Sequence, residues 1–279
     1  LRALMAVLQR VDPDLPAAAV LLDAEKAFDS VEWPFLGQAL QRMGLGKRFL
    51  KFLDLLYSGP SARVRINGVY SAPFDITRGT RQGCPLSPLI FALATEPLIS
   101  LIREKHASRG LRLGSGWLSM SLYADDILMY LTNTKETLSR LKDIFRIYGR
   151  YSGFQVNWDK SLLFPLGDWV HGGDLPLPLR IEREKFKYLG ICMTTVSTGY
   201  MRHNLGPASD RLERDVKHWR GLPLSIMGRA SMFKMIAMPR LLYIMQHCPY
   251  KIPDGWFNKI DAQLRSLLWA GGPARIALK

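Results

Sequence analysis

Three carboxylates carry the chemistry this chain can do. Asp125 and Asp126 are adjacent in Tyr123-Ala124-Asp125-Asp126, between the apolar runs Leu118–Tyr123 and Ile127–Leu131. That pattern predicts a β-hairpin turning at the two acids. Upstream, Leu21-Leu22-Asp23 ends another apolar strand pattern on a carboxylate. A hairpin with paired acids, beside a strand carrying a third, can hold two divalent cations. Two metals about 3.5–4 Å apart clamp the attacking and leaving oxygens of a phosphoryl transfer. Carboxylate oxygens suit Mg²⁺, with Mn²⁺ as a substitute. Asp-Asp is also ordinary turn chemistry, so the surrounding pattern has to decide.

The elements that must position these acids are legible. Ala17–Asp23 reads as a small apolar strand. Pro34 fits the first turn of a helix to Met43, with Gly44 as its stop, and Lys47–Tyr57 reads as a second amphipathic helix. Asn67-Gly68 joins Arg63–Asn67 to Val69–Ile76 as a hairpin. Helices are expected over Pro88–Lys105 and Lys135–Tyr151, a strand within Gly153–Phe164, a loop over Leu166–Pro178 and strands within Phe186–Met193. Leu1–Arg10 also has helical spacing. Beyond Ser197 the pattern is helical: Asp210–Arg220, Ile226–Gln246 and Asp254–Trp269. Strands and helices intermix without a βαβ repeat, which indicates an α+β fold. A boundary near Thr195–Gly206 divides the chain into 1–196 and 197–279.

Four motifs stand in fixed order around the acids. They are Leu22-Asp23-Ala24-Glu25-Lys26-Ala27-Phe28-Asp29, then Gly79-Thr80-Arg81-Gln82-Gly83-Cys84-Pro85-Leu86-Ser87-Pro88, then Gly153-Phe154-Gln155-Val156-Asn157 with Lys160, then Phe186-Lys187-Tyr188-Leu189-Gly190. The set resembles the palm of a reverse transcriptase, and more narrowly that of a LINE-type non-LTR retrotransposon. The resemblance implies a right-hand polymerase palm, with antiparallel sheet and helices, followed by an α-helical thumb. It assigns Asp23, Asp125 and Asp126 as metal ligands, with the Ala24 carbonyl as a further donor. Phe28 resembles the steric gate against a 2′-hydroxyl, although a core Phe fits the same pattern. Arg81, Gln82 and Gly83 resemble the loop beside the nascent base pair. Lys160 resembles a general acid toward pyrophosphate, and Phe186, Lys187, Tyr188, Leu189 and Gly190 a primer grip.

Charge supports a polyanionic partner. The net charge is +14, and 17 Lys/Arg against 7 Asp/Glu from Pro178 onward supply +10 of it. Arg211, Arg214, Lys217, Arg220, Arg229 and Lys234 fall on helical stretches, as in a thumb that tracks a nucleic-acid backbone. Met227, Met232, Met235, Met238 and Met245 read as core filling. Three distant cysteines make neither a disulfide framework nor a zinc site, in keeping with a reducing interior. No apolar run reaches membrane-spanning length.

The implied activity is RNA-directed DNA polymerase, joining dNTPs to a primer 3′-OH on an RNA template. The implied setting is an intracellular ribonucleoprotein, in nucleus and cytoplasm, acting on target DNA. Basic fingers motifs and an endonuclease are not found in this stretch, so a larger polyprotein is expected to supply them. Two alternatives stand beside this reading: a mobile-intron maturase-type reverse transcriptase, and a catalytically inactive nucleic-acid-binding remnant.

Overall fold

A computed structural model describes residues 4, 7, 8, 11, 12, 14–105, 110–113, 116–167, 169 and 174–273. Two compact units emerge: Val11–Glu182, and Arg183–Lys279 together with Leu1–Arg10. The division falls ahead of the Phe186 hairpin, whereas the sequence pattern suggested Thr195–Gly206.

The larger unit is built on a sheet whose middle strand is β1 (Ala17–Ala24). Ala17, Ala18, Ala19, Val20 and Leu22 are almost wholly buried, as a central strand covered along most of its length requires. On one side β1 pairs antiparallel with β9 (Asp126–Leu131), itself the second strand of a hairpin with β8 (Met120–Tyr123). On the other side lies the long β10 (Val156–Leu166), edged by β11 (Arg180–Ile181).

Strand alternation sorts the side chains. Val20, Leu22 and Ala24 of β1, with Ile127, Met129 and Leu131 of β9, join the main core. That core is completed by α2 (Trp33–Arg42), α4 (Ser87–Lys105) and α5 (Thr134–Ser152), which pack on one another. Each fully buried Leu or Ile there contributes about 1.5–3 kcal/mol. Asp23 and Asp126 have the opposite parity and so belong to the other face of the sheet.

Short α1 (Ala27–Ser30) follows β1, and α3 (Lys47–Tyr57) follows α2. The Asn67-Gly68 hairpin forms as two short exposed ladders. These are β2 (Ser61–Ala62) with β5 (Phe74–Asp75), and β3 (Arg65–Ile66) with β4 (Val69–Tyr70). A further hairpin, β6 (Leu111–Leu113) with β7 (Gly116–Leu118), had no expectation in the sequence.

The second unit opens with the hairpin β12 (Phe186–Tyr188) and β13 (Ile191–Met193). Helices follow: α6 (Ser197–Tyr200), α7 (Gly206–Arg220), α8 (Ile226–Met232), α9 (Met238–Gln246) and α10 (Asp254–Leu268). π turns at Met201–Leu205 and Phe233–Ala237 link α6 to α7 and α8 to α9. Each π turn precedes a proline, Pro207 or Pro239. A proline lacks an N–H and its ring crowds the carbonyl four residues back. The main chain instead bonds five residues back, from Gly206 to Met201 and from Met238 to Phe233.

Leu212, Val216, Trp219, Ala237, Leu241 and Leu267 form this unit's core. The methionine expectation is corrected here. Met232 packs against the core, but Met227 is 73% and Met235 78% exposed. Phe233, Ala237 and Leu241, four residues apart, are the inward positions, and Met235 falls on the opposite face. Of the N-terminal helical pattern, Leu4, Val7 and Leu8 are helical and buried, and the rest lies outside the described residues. Part of the Leu166–Pro178 loop also lies outside them.

Candidate active site

The hairpin turns where the sequence requires. Tyr123 pairs with Asp126, leaving Ala124 and Asp125 as a two-residue turn. Ala124 stands at φ 53, in the left-handed region that costs a non-glycine residue about 1–2 kcal/mol. Such strain persists only where surrounding structure over-determines it, and it gathers at functional sites.

Register brings the third acid in. Leu22 pairs with Ile127, so one further antiparallel step sets Asp23 against Asp126. The pKa of Asp126 is raised above the ordinary carboxylate range, chiefly by burial and then by the charges of Asp125 and Asp23. The three carboxylates therefore share one field. Ala24, the further donor expected, is the buried end of β1.

Lys160 reaches the site through an irregularity in β10. Leu21 pairs with Leu162 but Asp23 pairs with Asn157, so β10 takes five steps where β1 takes two. The surplus forms a bulge. Ser161 is buried beneath it, accepting the Asp23 N–H at 3.1 Å and donating to the Asn157 carbonyl at 2.7 Å. The Lys160 N–H donates to Asn157 Oδ1 at 3.2 Å. The bulge sets Lys160 Nζ 3.8 Å from Asp23 Oδ2, with the lysine largely exposed. Ser161 was missed in the sequence; its one signal was a small polar residue directly ahead of the apolar run Leu162–Phe164.

The Gly79–Pro88 loop docks on the turn after β1. Gly79 N–H donates to the Val31 carbonyl at 2.8 Å, Thr80 N–H to the Phe28 carbonyl at 2.6 Å, and Trp33 Nε1 to the Gly79 carbonyl at 2.7 Å. A Cβ on Gly79 would meet the Asp29 main chain at 2.8 Å, so only glycine fits. Gly83 stands at φ +84 with open space beside it. Arg81 donates to the Leu56 carbonyl at 2.8 Å, and Gln82 lies 3.4 Å from Asp29 Oδ1. Phe28 is half-buried, stacked on Phe91 at 4.4 Å. Asp29, Trp33, Tyr57, Phe74, Arg81 and Gln82 line a cavity of about 700 Å³.

In the second unit Phe186 and Tyr188 are buried and Lys187 is exposed. Leu189 and Gly190 make the turn, at φ 47 and 80. Arg211, Arg214, Lys217 and Lys234 are exposed. Arg220 and Arg229 are engaged within the unit. Arg220 donates to Ser266 Oγ at 3.2 Å and the Ala270 carbonyl at 3.3 Å, and Arg229 to the Leu268 carbonyl at 3.4 Å.

The donors fit a hard divalent cation. Every candidate ligand is an oxygen, and the raised pKa of Asp126, set chiefly by burial, also carries the charges of Asp125 and Asp23, which a cation would offset. Among the described residues no group of three or more His, Cys, Asp or Glu side chains is drawn together closely enough to hold a metal ion by itself. Mg²⁺ does not require one, because waters and substrate phosphates fill much of its octahedron. Among the described residues no helix is long and apolar enough to cross a membrane.

Acids at a hairpin turn, with a lysine beside them, are the reactive groups this sheet presents. The family described as reverse transcriptase (RNA-dependent DNA polymerase) matches residues 13–193, and the chain belongs to it. Its relatives narrow the kind to non-LTR retrotransposons. It is 30% identical over 262 residues to the transposon TX1 uncharacterized 149 kDa protein of Xenopus laevis, covering 92% of this chain and 20% of that protein. It is 27% identical to the Pol polyprotein of the type-2 retrotransposable element R2DM of Drosophila melanogaster, covering 80% of this chain and 21% of that one. A type-1 element R2 polyprotein of Popillia japonica is 25% identical, over 82% of this chain and 33% of its own length. The chain thus spans a fifth to a third of these relatives. Among solved structures, apo telomerase from Candida Tropicalis aligns with TM-score 0.48 and 12% identity, over 91% of this chain and 43% of that chain.

Proposed function

We propose that this chain is the palm and thumb of an RNA-directed DNA polymerase of a non-LTR retrotransposon, adding dNTPs to a primer 3′-OH. The observation that carries the reading is the convergence of Asp23, Asp125 and Asp126 at the turn end of two paired strands. Two Mg²⁺ ions, when bound, would supply the Lewis acidity that activates the 3′-hydroxyl and neutralises the leaving pyrophosphate. Asp23, Asp125 and Asp126 would hold them, with the Ala24 carbonyl as a further donor.

The remaining roles belong to this chain's own groups. Lys160, 3.8 Å from Asp23, is positioned to give a proton to the departing pyrophosphate. Arg81 and Gln82 line the cavity beside Asp29, and with Gly83 next in the loop they would meet the nascent pair, with Phe28 near the sugar. Lys187 on the Phe186–Gly190 hairpin would hold the primer end. Arg211, Arg214, Lys217 and Lys234 are exposed cations suited to the backbone of an A-like hybrid, read by shape and phosphate. Arg220 and Arg229 would act through the packing of this helical unit.

The natural partners are then an RNA template, a DNA primer or nicked target, and dNTPs. Fingers and endonuclease segments would come from the same polyprotein, which would work as a ribonucleoprotein in cytoplasm and nucleus. The test is template choice. With a DNA primer, Mg²⁺ and dNTPs, the chain or a longer gene product containing it should extend on RNA. Extension on DNA templates alone would overturn the assignment, and duplex binding without extension on either would favour a binding remnant.

A further inference from the structure

The hairpin β12–β13 is bracketed to its own helices at two points, and we propose that Asn204 is the positioning residue that fixes it. The inference rests on the reading above, in which this hairpin holds the primer end. Tyr188 and Ile191 close the two-residue turn as its hydrogen-bonded pair. The next pair, Lys187 and Cys192, therefore points its main-chain groups outward. Asn204 takes both groups of Cys192. Its Oδ1 accepts the Cys192 N–H at 2.8 Å, and its Nδ2 donates to the Cys192 carbonyl at 2.9 Å. The same Nδ2 donates to the Tyr200 carbonyl at 3.2 Å.

The side chain acts as a strand partner supplied by a helix. It is only 6% exposed and belongs to the π turn that precedes Pro207. The hairpin tip is held separately, by the Tyr243 hydroxyl donating to the Leu189 carbonyl at 2.5 Å. Lys187, Asn204, Tyr243, His203 and Arg211 line one cleft of about 630 Å³. The hairpin cation Lys187 and Arg211 of α7 thus border one cleft. Asn204 touches no reacting atom; it sets where Lys187 stands relative to Arg211.

Two variants test this. Asn204→Leu removes both bonds to Cys192. Asn204→Asp keeps the acceptor, but its charged form faces the Cys192 and Tyr200 carbonyls, whereas its protonated form restores the donor. The readouts are primer extension, affinity for an RNA–DNA duplex, and hydrogen exchange at the Cys192 amide. Asn204→Leu should raise the KM for primer–template and the duplex Kd about tenfold, the loss of roughly one net buried hydrogen-bond contribution, with kcat within about twofold. Asn204→Asp should move toward the parent as pH falls from about 8 to 6, each value taken relative to the parent at that pH, because burial favours the neutral acid. Cys192 exchange should quicken in Asn204→Leu.

Unchanged duplex affinity, or a fall in kcat matching lost thermal stability, would overturn the positioning role. If Asn204→Leu does not fold, the pH response of Asn204→Asp decides. If the parent binds duplex yet extends no primer, the polymerase reading fails, and duplex affinity and exchange still judge the bracket.

Discussion

Asp23 and Asp126 stand across from each other on adjacent antiparallel strands, one step beyond the Leu22–Ile127 pair. Like charges placed so closely oppose folding unless something else compensates. The opposition is visible in the raised pKa of Asp126, to which burial contributes most, then Asp125, then Asp23. The neighbouring Lys160 is mostly exposed and, at 3.8 Å, gives only partial relief. The sheet maintains an anionic centre at some cost to its stability.

Stability should therefore depend on pH with a definite sign. A carboxylate whose pKa is raised on folding binds more protons in the folded chain than in the unfolded one. Stability then falls as pH rises from the ordinary value of 3.8 through the raised folded value. Asp126→Asn should unfold at a higher temperature than the parent at pH 7 without divalent cation, and the gain should vanish below the ordinary carboxylate pKa. Millimolar Mg²⁺ should raise the parent's Tm more than the variant's. Equal Mg²⁺ shifts would argue against a metal at this cluster.

Ser161 should matter more than its size suggests. Its hydroxyl holds both the Asp23 N–H and the Asn157 carbonyl at the bulge. Ser161→Ala should cost about 1–3 kcal/mol in chemical denaturation, because two partly buried main-chain groups lose a partner. Extension should fall beyond what stability explains, since Asp23 and Lys160 both hang on this bulge. A denaturation midpoint matching the parent's would contradict the account.

Lys160 should act on the chemical step. Lys160→Ala should lower single-turnover nucleotide addition about 10²-fold or more, the usual scale of general-acid catalysis, with little change in dNTP affinity. Lys160→Arg should recover part of the charge but little of the proton transfer. A pure loss of dNTP affinity would make Lys160 a binding residue instead.

The hairpin strain should be measurable. Ala124→Gly relieves a left-handed φ of 53. It should stabilise the chain by about 0.5–1 kcal/mol, the left-handed penalty less the extra chain entropy of glycine. Thermal unfolding reads this directly, and a destabilised variant would mean that the Ala124 methyl makes a compensating contact.

Much of this was legible beforehand because local pattern and global fold agree. Lys47–Tyr57 forms the helix its amphipathic spacing requires, and Tyr123–Asp126 turns where the apolar runs break. Parity along β1 and β9 follows from the same alternation, so Asp23 and Asp126 could be paired in principle. The β10 bulge could not, because a register shift depends on which strands meet. Arg220 and Arg229 resemble the other basic residues in sequence, yet they cap the end of α10, a contact between helices distant along the chain. Met235 misled because its apolar character was read without its place on the helix: midway between the inward Phe233 and Ala237, it lies on the opposite face.

The most direct test is Mg²⁺-dependent extension of a DNA primer on an RNA template, comparing the parent with Asp125→Asn. Both would be assayed as this chain and within a longer gene product, with duplex binding measured in parallel. The account predicts that Asp125→Asn binds the duplex as the parent does but loses at least about 10³-fold in extension, roughly 4 kcal/mol of transition-state stabilisation. Extension by Asp125→Asn at the parent's rate, with the same Mg²⁺ dependence, would contradict it.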